Sequence, residues 1–259
     1  ADFTARMRYG DKVDMRGGGH FSARLTAPLC VAGGIAIQLL RQKGIEIHGH
    51  LKQVGTIQDA PIDMVHPDMK ALGNIATEPI AMLDADKRSE VETLVMNLKK
   101  DGDSTGGIVE VVATGLPIGL GNPNFDGIEN RLARVIFGVP AIKGISFGGG
   151  FDICARLGSE VNDAFTMDGD KITTTTNNSG GIQGGITNGL PLVMQVGIKP
   201  TPSIYKEQHS VSLSQKEDTL LTIKGRHDPC VALRAVPVIE AVTALVILDF
   251  LGDIDHELR

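Results

Sequence analysis

The chain has 259 residues, enough for one large domain or two small ones, and 42% of them are apolar, so a sizeable core is expected. There is no Trp, with two Tyr and eight Phe, so that core must be aliphatic. A formal net charge of −6 argues against a general binder of nucleic acid or anionic membrane. Cys30, Cys154 and Cys230 are odd in number and far apart, with neither a disulfide framework nor zinc spacing, which fits a reduced cytoplasm. No N-terminal apolar stretch reads as a signal peptide, and the apolar run near Leu245–Leu248 is too short to span a bilayer.

The elements follow in chain order. Residues 1–24 hold five basic side chains against three acidic ones, a local positive excess in an acidic protein. Residues 26–43 read as a helix, with Thr26 as N-cap, Pro28 in the first turn and Gly44 as terminator. Ala27, Val31, Ile35, Leu39 and Leu40 define its expected inner face, and Ala32, Gly33 and Gly34 leave room for a second backbone. A strand is expected over 45–54, a connector with Pro79 over 77–82, and an amphipathic helix over 85–101. Then come a Val-rich strand over 106–114, a Gly/Pro/Asn turn over 116–124 and a helix over 125–139, with Ile128, Leu132, Val135 and Ile136 inward. A strand over 141–147 precedes a polar stretch, 158–180, read as an exposed loop. Gly-rich 182–189 leads into a strand over 190–198; hairpin arms over 210–213 and 218–223 precede a last helix over 236–251 with Pro237 in its first turn. Long helices mixed with antiparallel-looking strands give an α+β class rather than strict βαβ alternation. No linker splits the chain, so residues 1–259 are expected to form one domain.

Most chemical signatures are absent. GGIQGG and SFGGGF are glycine-rich but do not follow a strand and open a helix as a dinucleotide fingerprint does, and there is no P-loop, H-E-x-x-H or G-x-S-x-G. His48 and His50 alternate on one strand and face one side; a third metal ligand is missing, and a solvated strand face is the stronger reading. Two segments remain: RGGGHFSARLTAPLCVAGG at 16–34 and RHDPC at 226–230. Ser22 and Arg24 stand just before a helix N-terminus, where free N–H groups and the helix dipole favour an anion. Arg226 offers a bidentate fork to phosphate, and Asp228 beside it is a candidate base. From spacing alone, an ordinary ion pair near a helix start explains these residues as well.

Taken together, the motifs carry a resemblance. ADFTARMRYG, RGGGHFSARLTAPLCVAGGIA, GLGNPNFD, VPAIKGISFGGGF, NNSGGIQGGITNGLPLV, KPTPSI and GRHDPCVALRAVPVIEA stand in register along nearly the whole chain. In this the chain resembles the chorismate synthase family. The resemblance implies a β-α-β sandwich, a homotetramer, and a 1,4-elimination of phosphate from 5-enolpyruvylshikimate 3-phosphate that requires reduced FMN without net redox change. It implies flavin contacts at His20, Phe21, Ser22, Pro140, Ala141, Gly184, Lys199, Pro200, Thr201, Pro202, Ser203 and Arg226. It implies substrate contacts at Arg24 and Arg226, a proton-relay role for Ser22, and a role for Asp228 in assisting the flavin as base. No metal is implied, and NADPH reduction of the flavin is left open.

Several positions depart from the family pattern. Relatives often carry Arg-Ser-Ser where this chain has His20-Phe21-Ser22, and Ala where it has Ser179. The family's Gly-Glu-Ser-His-Gly motif and its two catalytic histidines match nothing here; His20, His209, His227 and His256 do not align with them, and His227 reads as part of the turn. The sequence starts at Ala1, which matches a position inside the family pattern. The expectation is therefore a chorismate synthase lacking its N-terminal region, with little or no activity alone. A non-catalytic flavin- or anion-binding module, or a structural fragment, is the alternative.

Overall fold

A computed structural model describes residues 2–14, 16–225 and 227–257. Helix α1 (Asp2–Tyr9) leads through 3-10 turns into α2 (Thr26–Gln42). Strands β1 (Glu46–Val54) and β2 (Ile57–Gln58) follow, then helices α3 (Met69–Ile75) and α4 (Ala85–Asp101). Next come β3 (Gly107–Thr114), α5 (Ile128–Ile136), β4 (Ile142–Phe147) and the short α6 (Gly158–Val161). Two small hairpins, β5 (Phe165–Asp168) with β6 (Lys171–Thr174) and β7 (Ile182–Gln183) with β8 (Ile186–Thr187), precede β9 (Leu192–Ile198). A third hairpin, β10 (Gln208–Ser212) with β11 (Glu217–Leu221), leads to α7 (Ala232–Glu257).

The main sheet has the order β2-β1-β3-β9-β4, with every pair antiparallel. The class is α+β, as the sequence implies. Period-2 alternation gives the sheet two different faces. Ile47, Leu51, Val109, Val111, Leu192, Met194 and Val196 point into the main core with α2, α5 and α7. Val112 and Val193 point the other way and meet Leu72 and Ile75 of α3. Burying each such aliphatic side chain stabilises the fold by roughly 1.5–3 kcal/mol, so the Val/Ile/Leu-rich strands commit both faces to cover. Helix α4 begins at Asp84, whose carboxylate accepts from the Asp86 and Lys87 amides, and ends at Gly102 in the left-handed region (φ 66°).

Several sequence expectations are corrected. Val31, Ile35 and Leu39 of α2 are exposed (69, 57 and 43%), while Gly33, Ala36 and Leu40 are buried. The small residues win the inner face because α2 packs so close to α7 that a Cβ on Gly33 would lie 2.3 Å from Ala241 Cβ. Thr26 does not cap α2; its hydroxyl donates to the Ala23 carbonyl of the preceding 3-10 turn. Val135 faces solvent beside buried Leu132 and Ile136. The stretch 158–180 is not all loop: it contains α6 and the β5–β6 hairpin, and Asn177 and Asn178 are buried, holding the turn with their amides. Helix α7 starts four residues before the expected 236, with Pro237 inside it. His50 is fully buried rather than solvated. Ala23–Gln42 and Ala232–Gly252 are long and apolar enough to cross a membrane by length and composition, contrary to the sequence estimate; the second is mostly buried as a core helix.

Candidate active site

The sheet brings three of the singled-out segments to one end, where β3 begins, β9 ends and β4 begins. The Lys199 amide donates to the Ala141 carbonyl at 3.0 Å. Ala141 is held at φ 74°, the left-handed region that disfavours any Cβ. Ser104 Oγ donates to the Thr201 carbonyl at 2.7 Å, and the Thr105 amide donates to the Pro229 carbonyl at 2.8 Å. Gly106 makes this crossing possible, since a Cβ there would sit 2.3 Å from the Ile198 carbonyl oxygen and 3.2 Å from Pro200. Pro140–Ala141, Lys199–Ser203 and His227–Pro229 thus converge on the loop before β3. Within this cluster the Thr201 hydroxyl is buried and lacks a hydrogen-bond partner. A strained alanine and an orphan hydroxyl in one place are the marks of a site built for a ligand.

Arg226 lies outside the described residues; its neighbours do not. Asp228 closes a turn just ahead of α7, with Oδ1 accepting from the Cys230 amide at 3.2 Å and Oδ2 paired to Arg234 Nε at 2.8 Å. A carboxylate has about four acceptor positions, so Asp228 can still take a further proton donor. His227 Nε2 bonds the Ile223 carbonyl at 3.0 Å and its ring meets Tyr205 edge-on, which is a structural setting. A cleft of about 20 Å³, the room of one water, lies between Lys99, Tyr205, His227 and Asp228.

The first motif folds locally. Ser22 is extended (φ −73°, ψ 135°) and its Oγ accepts from the Arg24 amide at 3.3 Å, starting the 3-10 turn that feeds α2. His20 and Arg24 are exposed, and Phe21 is 40% exposed. Helix α7 passes from Ala232, against Gly107, to Glu240, against Gly49, and onward; α2 lies beside it at Gly33 and, in its last turn, offers the Leu40 carbonyl to the Ile45 amide at the head of β1. Both helices therefore point the same way, and their N-termini, with Arg24 and Asp228, sit at the same end of the helical layer as the loop cluster. Among the described residues no hydrogen bond joins residues 20–24 to 199–203 or 227–229.

Gly184 lies elsewhere. It is the tip of the β7–β8 hairpin (φ 61°), with open space around it, and its neighbour Gly185 accepts from the Ile128 amide at 3.0 Å. That hairpin adjoins the start of β9 and the end of β3, the opposite end of the sheet from Ala141. A larger apolar cavity of about 340 Å³ opens there between Ile118, Phe165, Ile172 and Ile186. It holds no ionisable side chain, so the chemistry points to the other end.

The comparisons settle the family. A chorismate synthase family profile matches residues 1–251. A chorismate synthase from Lancefieldella parvula is 42% identical over 97% of this chain and 69% of its own length. One from Dehalococcoides mccartyi is 44% identical over 96% and 67%, and one from Pyrococcus abyssi 39% over 97% and 68%. The chain belongs to the chorismate synthase family. A solved structure described as a crystal structure of chorismate synthase superposes with TM-score 0.78 at 27% identity, over 97% of this chain and 70% of that one. The chain thus has the fold of a chorismate synthase, a lyase, and spans about two thirds of the length of these relatives.

The geometry also shows what sequence reading missed. Tyr205, Ser104 and Arg234 tie the chorismate synthase motifs together; Tyr205 and Ser104 lie outside the quoted motifs, and Arg234 lies inside GRHDPCVALRAVPVIEA but was given no role. The signal available was thin: Tyr205 is one of two tyrosines and directly follows the KPTPSI segment.

Proposed function

We propose that the end of the sheet where residues 140–141, 199–203 and 227–229 converge, with Arg24 and Arg226, binds reduced FMN and 5-enolpyruvylshikimate 3-phosphate and eliminates phosphate to give chorismate. The observation that carries this is the buried, unpartnered Thr201 hydroxyl beside the strained Ala141 backbone, at the crossing of two of the family's flavin segments. The residues fit the group: Thr201 supplies a hydroxyl, Lys199 a cation, and Pro140, Pro200 and Pro202 flat surfaces without N–H donors.

Reduced flavin, when bound, supplies an electron-rich ring to the reacting allylic system. Arg24 and Arg226 bind the phosphate and stabilise the negative charge that grows as its C–O bond breaks. Asp228, fixed by Cys230 and Arg234, holds the proton that leaves the ring carbon. Ser22, whose oxygen already accepts from the Arg24 amide, keeps a hydroxyl proton free to relay. Gly184 belongs to the same proposal only through its family match, because its hairpin lies at the far end of the sheet. The same reading takes residues 1–259 as one chorismate synthase-like domain, the assembly as a homotetramer and the compartment as cytoplasmic. Flavin reduction by NADPH is checked by adding NADPH anaerobically and watching the oxidised-flavin absorbance fall.

The test is an FMN titration, oxidised and reduced, with and without substrate, followed by flavin absorbance. Tighter binding of reduced FMN with substrate present is the expected result. Arg24→Ala should weaken the substrate effect about tenfold or more, the worth of one charge-assisted contact, and leave FMN binding alone little changed. No flavin binding under any condition rejects the proposal.

A further inference from the structure

Tyr205 stands just beyond the 199–203 loop and touches two segments, the end of α4 and the turn at 225–227, that sequence alone does not connect. Its amide donates to the Gly102 carbonyl at 3.0 Å, at the end of α4. Its Cβ lies so close that a Cβ on Gly102 would be 2.8 Å away, at a backbone φ of 66° that already excludes most residues. Its phenol hydroxyl donates to the Gly225 carbonyl. Its ring meets the His227 ring edge-on, 4.7 Å between centroids and 71° between planes. The next residue is pinned to the same place, because Lys206 Nζ lies 2.6 Å from Asp103 Oδ2. The contacts to Gly225 and His227 flank position 226, and Asp228 follows directly.

We propose that Tyr205 is a positioning residue that holds Gly225 and His227 against the 199–203 loop, and so sets where Asp228 stands relative to bound flavin and substrate. This rests on the functional reading above. Burial does not account for the residue, since it is 48% exposed. A shorter side chain would lose the reach: the loop backbone is anchored at Gly102, and only a long rigid ring with a terminal donor spans from there to the Gly225 carbonyl while presenting its edge to His227. Among the described residues, the other restraints lie on the far side of the turn or within it: Asp228 bonds the Cys230 amide and Arg234, the Thr105 amide holds Pro229, and His227 bonds back to Ile223 in the same segment, so Tyr205 is what ties the turn to the end of α4 and the 199–203 loop.

The test compares the unaltered chain with Tyr205→Phe and Tyr205→Ala by hydrogen exchange of a peptide covering 223–231 and by FMN titration with and without substrate. Tyr205→Phe keeps the ring and removes the hydroxyl. It should raise exchange at the Cys230 amide, which bonds Asp228 Oδ1, by up to about tenfold, the worth of one net hydrogen bond, with a fall in the thermal midpoint of no more than a few degrees. It should also blunt the tightening of reduced-FMN binding by substrate several-fold, with Tyr205→Ala going further. Equal exchange and equal substrate-induced tightening in wild type and Tyr205→Phe overturn the proposal, and Tyr205→Phe decides even where Tyr205→Ala does not fold. If the unaltered chain binds no flavin, the functional reading fails, while the exchange comparison still decides whether Tyr205 holds the turn.

Discussion

His50 is held between two buried carboxylates, Nδ1 at 2.9 Å from Asp59 and Nε2 at 3.0 Å from Glu110, with Lys52 Nζ 2.7 Å from the other Glu110 oxygen. A neutral imidazole has one N–H and could satisfy one of these carboxylates; the imidazolium satisfies both. Burial disfavours that charge, but the hydrogen bonds to Asp59 and Glu110 outweigh it and raise the His50 pKa. Burial likewise pushes Asp59 and Glu110 up, and their bonds to His50, backbone amides and Lys52 more than reverse it. Glu240 is the opposite case: burial lifts it to about 7, only partly offset by the Gly49 amide bonded at 2.6 Å. The His50 contribution is full below its unfolded value and is lost as pH rises through the higher folded one; Glu240 behaves the same way, losing its contribution between about 4.5 and 7. The lowered carboxylates lose theirs as pH falls below their ordinary values. Denaturant midpoints should therefore fall on both sides of pH about 5, and Glu240→Gln should flatten the alkaline limb below pH 7 by about 3 kcal/mol, the size of its shift. His50→Gln should cost about 3 kcal/mol or more, because it leaves two buried carboxylates short of a cation. That role was not legible in the sequence. The alternation of His48 and His50 gave the shared face correctly, but Asp59, Glu110 and Leu83 reach it only through strand pairing and the turn before α4.

At the level of elements, two adjacent glycines in α2 make a sharp contrast. Gly33 is jammed against Ala241 of α7, whereas a Cβ on Gly34 would meet nothing within 4 Å. Gly33→Ala should lower stability by about 1–3 kcal/mol through overpacking, and Gly34→Ala should raise it by about 0.5–1 kcal/mol through helix propensity; paired thermal melts check both. Asp84→Ala removes the side chain that caps α4 and should cost about 1 kcal/mol in the same assay. The elements themselves were largely legible, because 3.6- and 2-residue periods and Gly or Pro stops mark α4, α5, β3 and β9 directly. The inner face of α2 was not, since a stripe of Val31, Ile35 and Leu39 normally faces a core and only the close approach at Gly33 reverses it. The site was half legible: motif order singled out Arg24, Lys199 and Asp228, but the meeting of 140–141 with 199–203 depends on the β4–β9 register, which no local pattern states.

For the whole molecule, the consequence of that reversed helix is an exposed apolar stripe, Val31, Ile35 and Leu39, along an otherwise well-packed layer. Contiguous apolar surface of this kind drives association. Val31→Glu with Ile35→Glu should reduce self-association in light scattering without lowering the thermal midpoint, and an unchanged particle size would dismiss the stripe as an interface. The Tyr205 clamp carries a different kind of consequence. With no Trp in the chain, tyrosine emission comes from Tyr9 and Tyr205, and Tyr205 sits beside the segments proposed to hold flavin, which absorbs in that range. Tyr9→Phe would leave a protein with one intrinsic lamp, lit at the turn and dimmed by whatever docks next to it, so occupancy could be followed without any added label.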